Sequence, residues 1–225
     1  MCYKHFAMKI IIILLITLMV APILNAQDDA PRYYENKADS LLQLASETLA
    51  SFASWYIRFE YTMENTQYDD RETLSGELYT RGDSYHMKLG DNLFISDGHT
   101  VWSYLANIHE VHINLAEYVE DAPTPTSVLG NFSEEFRSRW IRTEIYRDKS
   151  VHLIDMIPNT PQAFFKYRVA VDHNNHQIIY TTAYDRQGGT YQYEITHMNT
   201  RPEIPAGLFS FDPASLPGVE VVDLR

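Results

Sequence analysis

Residues Gly76–Leu115 read GELYTRGDSYHMKLGDNLFISDGHTVWSYLANIHEVHINL. Apolar and polar residues alternate in runs of about six, and turn residues separate the runs. A period of two places successive side chains on opposite faces of a strand, so each run forms an antiparallel strand with one face in a core and one in water. Gly82, between Arg81 and Asp83, can take the positive φ of a tight hairpin, and Asp97-Gly98 marks a second one. The strands predicted here are Thr73–Arg81, Ser84–Leu89, Asn92–Ser96, Val101–Ala106 and Glu110–Leu115.

Working outward, Trp55–Glu64 carries five alternations in a row and is a further strand. Before it, Asn36–Ser54 places Leu41, Leu42, Ala45, Leu49 and Phe52 at helical spacing on one side, which predicts an amphipathic helix. Gln27–Glu35 is a polar lead-in. After Leu115 the alternation stops. Glu117–Arg139 holds Pro123, Pro125 and Gly130 and is expected to be an insert with one or two short helices. Strands resume at Trp140–Arg147, Val151–Ile157, Phe164–Asp172, Gln177–Asp185 and Thr190–Met198. Leu208–Asp212 and Val219–Leu224 add one or two short strands.

The sum is a mainly β chain with an α lid (α+β). It is expected to be a curved, incomplete antiparallel β-barrel of about 10–11 strands, closed by helices over a hydrophobic cavity. One sheet of that size must curl or split, and a small barrel can enclose one ligand. Phe59, Tyr61, Leu78, Tyr85, Met87 and Trp102 are the candidate cavity residues for an apolar ligand.

The first 26 residues are a separate object. Lys4 and Lys9 precede an apolar run from Ile10 to Leu24, and Leu24-Asn25-Ala26 supplies a small residue for cleavage before Gln27. This is the pattern of a cleaved signal peptide, leaving 27–225 as a single domain. The chain carries a net charge of −12. That sign disfavours nucleic acid and anionic membrane surfaces as partners. Its single cysteine is Cys2, so the exported domain can form no internal disulfide and no thiolate metal site.

Chemistry-bearing motifs are sparse. His109-Glu110-Val111-His112 lies on a strand, where positions three apart diverge, so no metal site is expected. His173 and His176 flank an Asn-Asn turn and are expected to be exposed. Glu60, Glu64, Glu77 and Asp97 form no recognisable acid pair, and Ser96 and Ser103 sit in no nucleophile elbow. No phosphate or dinucleotide fingerprint is present. No enzyme activity and no cofactor are expected.

Four segments in order resemble one family: SFASWYIRFEYTME, GELYTRGDSYHMKL, FISDGHTVWSYLANIHEV and LFSFDPASLPGVEVVDLR. The chain resembles the bacterial outer-membrane lipoprotein carrier protein, LolA. The resemblance implies an open barrel lidded by helices that works as a monomer in the periplasm. Its partners would be acylated lipoproteins, an inner-membrane ABC transporter that loads them, and an outer-membrane acceptor. It also implies that Arg81, at the hairpin after the second strand, latches the lid, although the family usually follows this Arg with Pro and this chain has Gly82. Two other readings share the fold: a carrier of a glycolipid or pigment lipid, and an interaction protein whose barrel is filled by side chains.

Overall fold

A computed structural model describes residues 29–65, 67–118 and 132–225. The expected signal peptide and most of the expected insert, residues 119–131, lie outside the described residues. Glu35–Arg225 forms one compact unit. The elements are α1 (Asp29–Ala50), β1 (Trp55–Asn65), β2 (Asp70–Arg81), β3 (Ser84–Leu89), β4 (Asn92–Ser96), β5 (Thr100–Leu105) and β6 (Glu110–Leu115). They continue with α2 (Phe132–Glu135), β7 (Phe136–Tyr146), β8 (Lys149–Pro158), β9 (Phe164–Asp172), β10 (Ile178–Asp185), β11 (Gly189–Asn199) and β12 (Glu220–Asp223).

All twelve strands join one curved, unclosed sheet in the order β12-β6-β5-β4-β3-β2-β1-β11-β10-β9-β8-β7. Two meanders make it up: β1 to β6 on one side, β7 to β11 on the other. Among the described residues only the β1–β11 pairing joins them, with Ile57 opposite Met198 and Tyr61 opposite Tyr193. The hairpins follow the turn chemistry, with Gly82 at φ 58° between β2 and β3.

Several elements depart from the sequence reading. α1 occupies Asp29–Glu35, which reads as a polar lead-in because few apolar residues mark it. Phe136–Arg139 is strand rather than insert, and it pairs with Pro158–Asp155. Leu208–Asp212 forms no strand: the chain turns at 206–209, with the Ser210 amide donating to the Gly207 carbonyl at 3.1 Å, and Phe209 is buried. β12 pairs with β6 in parallel, not antiparallel. Among the described residues the strands number twelve, against about 10–11 expected.

Directly opposed residues share a face, so the register assigns every side chain. One face carries Ile57, Phe59, Leu78, Met87, Ile154, Met156, Val169 and Val171, all essentially inaccessible to water. α1 lies on this face. Its Ala38, Leu41, Leu42 and Ala45 pack on Ile154, Met156, Val169, Val171 and Ile178. The helical period delivers these four residues to one stripe. The opposite face is polar across β1–β3, but not everywhere. Val151, Leu153 and Ala170 are buried there under Tyr146 and Tyr180.

Candidate functional site

The site is the apolar face of β1–β4 beside the last turns of α1. Across the strands run two rows: Ile57–Leu78–Met87–Phe94, and Phe59–Gly76–Leu89. Trp55, Ile57, Phe59, Leu78, Met87 and Leu89 form one buried cluster, edged by half-buried Leu49, Phe52, Tyr61, Tyr85, Phe94 and Tyr193. The absence of a side chain at Gly76 has a specific reason. The Phe59 ring lies across it, and a Cβ there would sit 2.5 Å from Cε2 and 2.8 Å from Cε1. An aromatic ring covering a cross-strand glycine restores the packing that the glycine lacks.

Aromatic contacts extend the surface. Tyr61 stacks on Tyr193 with centroids 4.5 Å apart, and Phe59 meets Tyr193 at 5.6 Å. Burial pushes the Tyr61, Tyr85 and Tyr193 hydroxyls above their ordinary values, with Tyr61 adding to the effect at Tyr193. All three therefore stay neutral, as an apolar ligand requires.

α1 closes one end of this face. After Ala50 the helix unwinds, with Ser51 and Phe52 amides donating to the Glu47 and Leu49 carbonyls. Leu49 and Phe52 then lie over Trp55 and Ile57. The crevice left there, bordered by Ala45, Leu49, Phe52, Trp55, Ile178, Ile195 and Met198, has a free volume of about 10 Å³. Occupied small-molecule sites run to roughly 300–1,000 Å³. A chain-like ligand can enter that crevice only if α1 or the aromatic side chains move.

Of the residues expected at the cavity, Phe59, Tyr61, Leu78, Tyr85 and Met87 do share this face. Trp102 does not. It opposes Ile95 and Ile113, whereas Ser103 continues the Met87–Phe94 row. The alternation of β5 is apolar on both phases, so period two alone chose the wrong one. The residues Ile95, Val111 and Ile113 on β4 and β6 are buried. The C-terminal segment touches down on the Trp102 side of the sheet. The guanidinium carbon of Arg81 sits 5.0 Å from the Phe209 ring centroid, a contact with the C-terminal segment that the sequence did not suggest. The far end of that segment is held by His109, whose Nε2 is 3.3 Å from the Pro217 carbonyl oxygen and whose Nδ1 is 3.1 Å from the Tyr104 hydroxyl. His112 turns elsewhere, to Glu110 at 2.9 Å.

One group was missed by the sequence reading. His152 is buried on the α1 side of β8. Its Nδ1 is 2.8 Å from the Thr143 hydroxyl and 3.4 Å from the Trp140 indole nitrogen, and its Nε2 is 2.9 Å from Nδ1 of His173. An indole N–H can only donate, so Nδ1 accepts and Nε2 carries the proton toward His173. Lys37 of α1 stacks 3.5 Å from the Trp140 ring centroid. Burial first, then electrostatic repulsion from the His173, Lys37 and His176 side, holds the His152 imidazole below its ordinary value. His173 is exposed in its turn, as expected, and still bonds to His152.

The family described as "Outer membrane lipoprotein carrier protein LolA" matches residues 51–212, a span that holds the whole apolar face. The chain belongs to the LolA family. No curated protein sequence matches it significantly. Among solved structures it is similar to an uncharacterized conserved protein from Thermus thermophilus, at 12% identity and a TM-score of 0.57, covering 83% of this chain and 99% of that one. A LolA superfamily protein from Nitrosomonas europaea aligns at 11% identity and a TM-score of 0.43, covering 77% and 97%. The lipoprotein LppX of Mycobacterium tuberculosis aligns at 11% identity and a TM-score of 0.48, covering 74% and 99%. At these identities the likeness is one of fold.

Proposed function

We propose that this LolA-family protein is a periplasmic carrier that shelters the acyl chains of lipoproteins on the apolar face of β1–β4 and ferries them between membranes. The supporting observation is the continuous apolar surface Ile57–Leu78–Met87–Phe94 with Phe59 and Leu89, bounded at one end by α1. Neutral tyrosines at its margin suit the ester and amide groups where chains meet a head group. Each acyl methylene left in water costs ~0.8 kcal/mol, so a lipoprotein with two or three long chains needs such a shelter in transit. The small free volume beneath α1 suits the empty state, in which the helix and the aromatic rings occupy the place of the chains. Under this reading an inner-membrane ABC transporter loads the carrier and an outer-membrane acceptor relieves it. Phe59, Tyr61, Leu78, Tyr85 and Met87 touch the chains.

Native mass spectrometry of the protein purified from the periplasm, followed by identification of what it holds, tests this. A bound acylated lipoprotein supports the reading. A free glycolipid or pigment lipid keeps the site and changes the cargo. A clean unliganded mass, together with no binding of a hydrophobic dye, refutes a carrier role.

A further inference from the structure

The strand order ends at β7, and no described strand pairs with its outer side. An edge strand presents a row of unpaired N–H and C=O groups, so a long one invites another strand. β7 is 11 residues long. A bulge between Trp140 and Arg142 divides it into Phe136–Trp140 and Arg142–Tyr146, each long enough for a typical partner strand.

The charge on this edge is opposite to that of the chain. Arg137, Arg139, Arg142, Arg147 and Lys149 place five cations in thirteen residues of a chain whose net charge is −12. The register sorts them. Arg137 opposes Ile157, Arg139 opposes Asp155, and Arg142 opposes Leu153, so all three arginines stand on one face. Strict alternation would have put Arg142 on the other; the bulge at Ile141 restores it. Arg137 and Arg139 are exposed. The Arg142 side chain is 56% accessible even with Nη2 of its guanidinium 2.6 Å from Glu144.

Charges on an edge can also serve to repel other strands. Here they flank the hydrogen-bonding edge on the outer face of the sheet, where the three arginines outnumber Glu144, the one acidic residue of β7. Pairing of two copies through β7 would set arginine rows against each other, which is unfavourable. The opposite edge, β12, carries Glu220 and Asp223 and is four residues long, so it offers a second copy only a short partner.

We propose that β7 is a docking edge for an extended acidic segment of another polypeptide, which adds to the sheet as a further strand and sets carboxylates at alternate positions against Arg137, Arg139 and Arg142. The backbone ladder supplies register-tolerant affinity, and the arginine row selects the sign and spacing of the partner's side chains. The docking edge is independent of what the apolar face carries.

The test uses the purified protein and an 11-residue fluorescent peptide in which glutamate alternates with threonine and valine. A peptide of the same composition with its glutamates in one block is the control. The alternating peptide should bind about tenfold tighter than the block peptide, and the R137S/R142S variant should lose about tenfold in affinity with a flatter salt dependence. Hydrogen exchange should slow at β7 amides when the peptide is bound. If the double variant unfolds, R137S alone carries the comparison. Equal binding of the two peptides, or no protection of β7, overturns the proposal. So does arginine-dependent binding to phosphatidylglycerol vesicles without peptide binding, or self-association of the protein in sedimentation. No binding at all would leave the arginines as strand-repelling groups, which also overturns it.

Discussion

Replacing Gly76 by alanine tests how the apolar face is built. The added Cβ would lie 2.5–2.8 Å from Phe59 ring carbons, where ordinary contact begins near 3.4 Å. The ring must therefore shift by up to about 1 Å inside a cluster in which Phe59 is 1% exposed. Overpacking of this kind costs ~1–3 kcal/mol. Alanine restricts the unfolded chain and recovers ~0.4–1 kcal/mol. The net expectation for Gly76→Ala is a loss of roughly 1–2 kcal/mol. In a Phe59→Leu background the clash is relieved while the entropic gain remains, so the same substitution should become neutral or stabilising. Urea denaturation followed by tryptophan fluorescence reads both, as a change in midpoint at constant slope. Trp55 belongs to the same cluster and reports the transition. If Gly76→Ala costs the same in both backgrounds, the ring–glycine contact does not govern this face.

Three further outcomes follow from the polar contacts. Glu194 is 6% exposed and accepts from the Tyr146 hydroxyl at 2.8 Å, while its other oxygen is 2.8 Å from Arg147. Glu194→Ala leaves both donors without their acceptor and should cost ~2–4 kcal/mol by urea denaturation. Arg168 holds Asp155 through two parallel bonds of 2.6 and 2.9 Å, an arrangement that lysine cannot copy, so Arg168→Lys should lose ~1 kcal/mol by the same assay. The folded value of His152 lies below its unfolded value near 6.5. The unfolded chain then binds the proton first, so the stabilisation is complete above about pH 6.5 and is lost as the pH falls toward the folded value. His152→Gln should flatten that part of the stability–pH curve, and an NMR titration of the His152 ring should show it resisting protonation.

Much of this fold is legible in the chain because alternation is a local property. The runs around Arg81-Gly82-Asp83 and Asp97-Gly98 identify β3 and β4 to the residue and β5 within one, while β2 begins three residues before the expected Thr73. What local pattern cannot supply is the partner on the far side. Trp102 alternates as well as Leu78 does, yet its face is settled by the Phe94–Ser103 pairing and by the C-terminal segment, far away in sequence. The parallel pairing of β12 and the His152–His173 pair have the same origin. Each depends on residues distant in the chain, and neither carries a period or a turn signal. Phe59, Tyr61, Leu78, Tyr85 and Met87 share one face, as alternation predicts, because they lie in hairpins whose register the turns fix.

The single seam between the two meanders bears on how the protein matures. β1 is among the first strands to be made, and its partner β11 is almost the last. Closing so long a loop is entropically costly, and distant strand pairing is slow. Until β11 arrives, the first meander keeps an unpaired inner edge and an apolar face without its neighbours. Under the periplasmic reading, a chain that emerges from the membrane N-terminus first would pass through this sticky intermediate every time it is made. Its dependence on folding helpers in the receiving compartment should therefore be set by the time needed to translocate up to Asn199, rather than by the stability of the finished sheet.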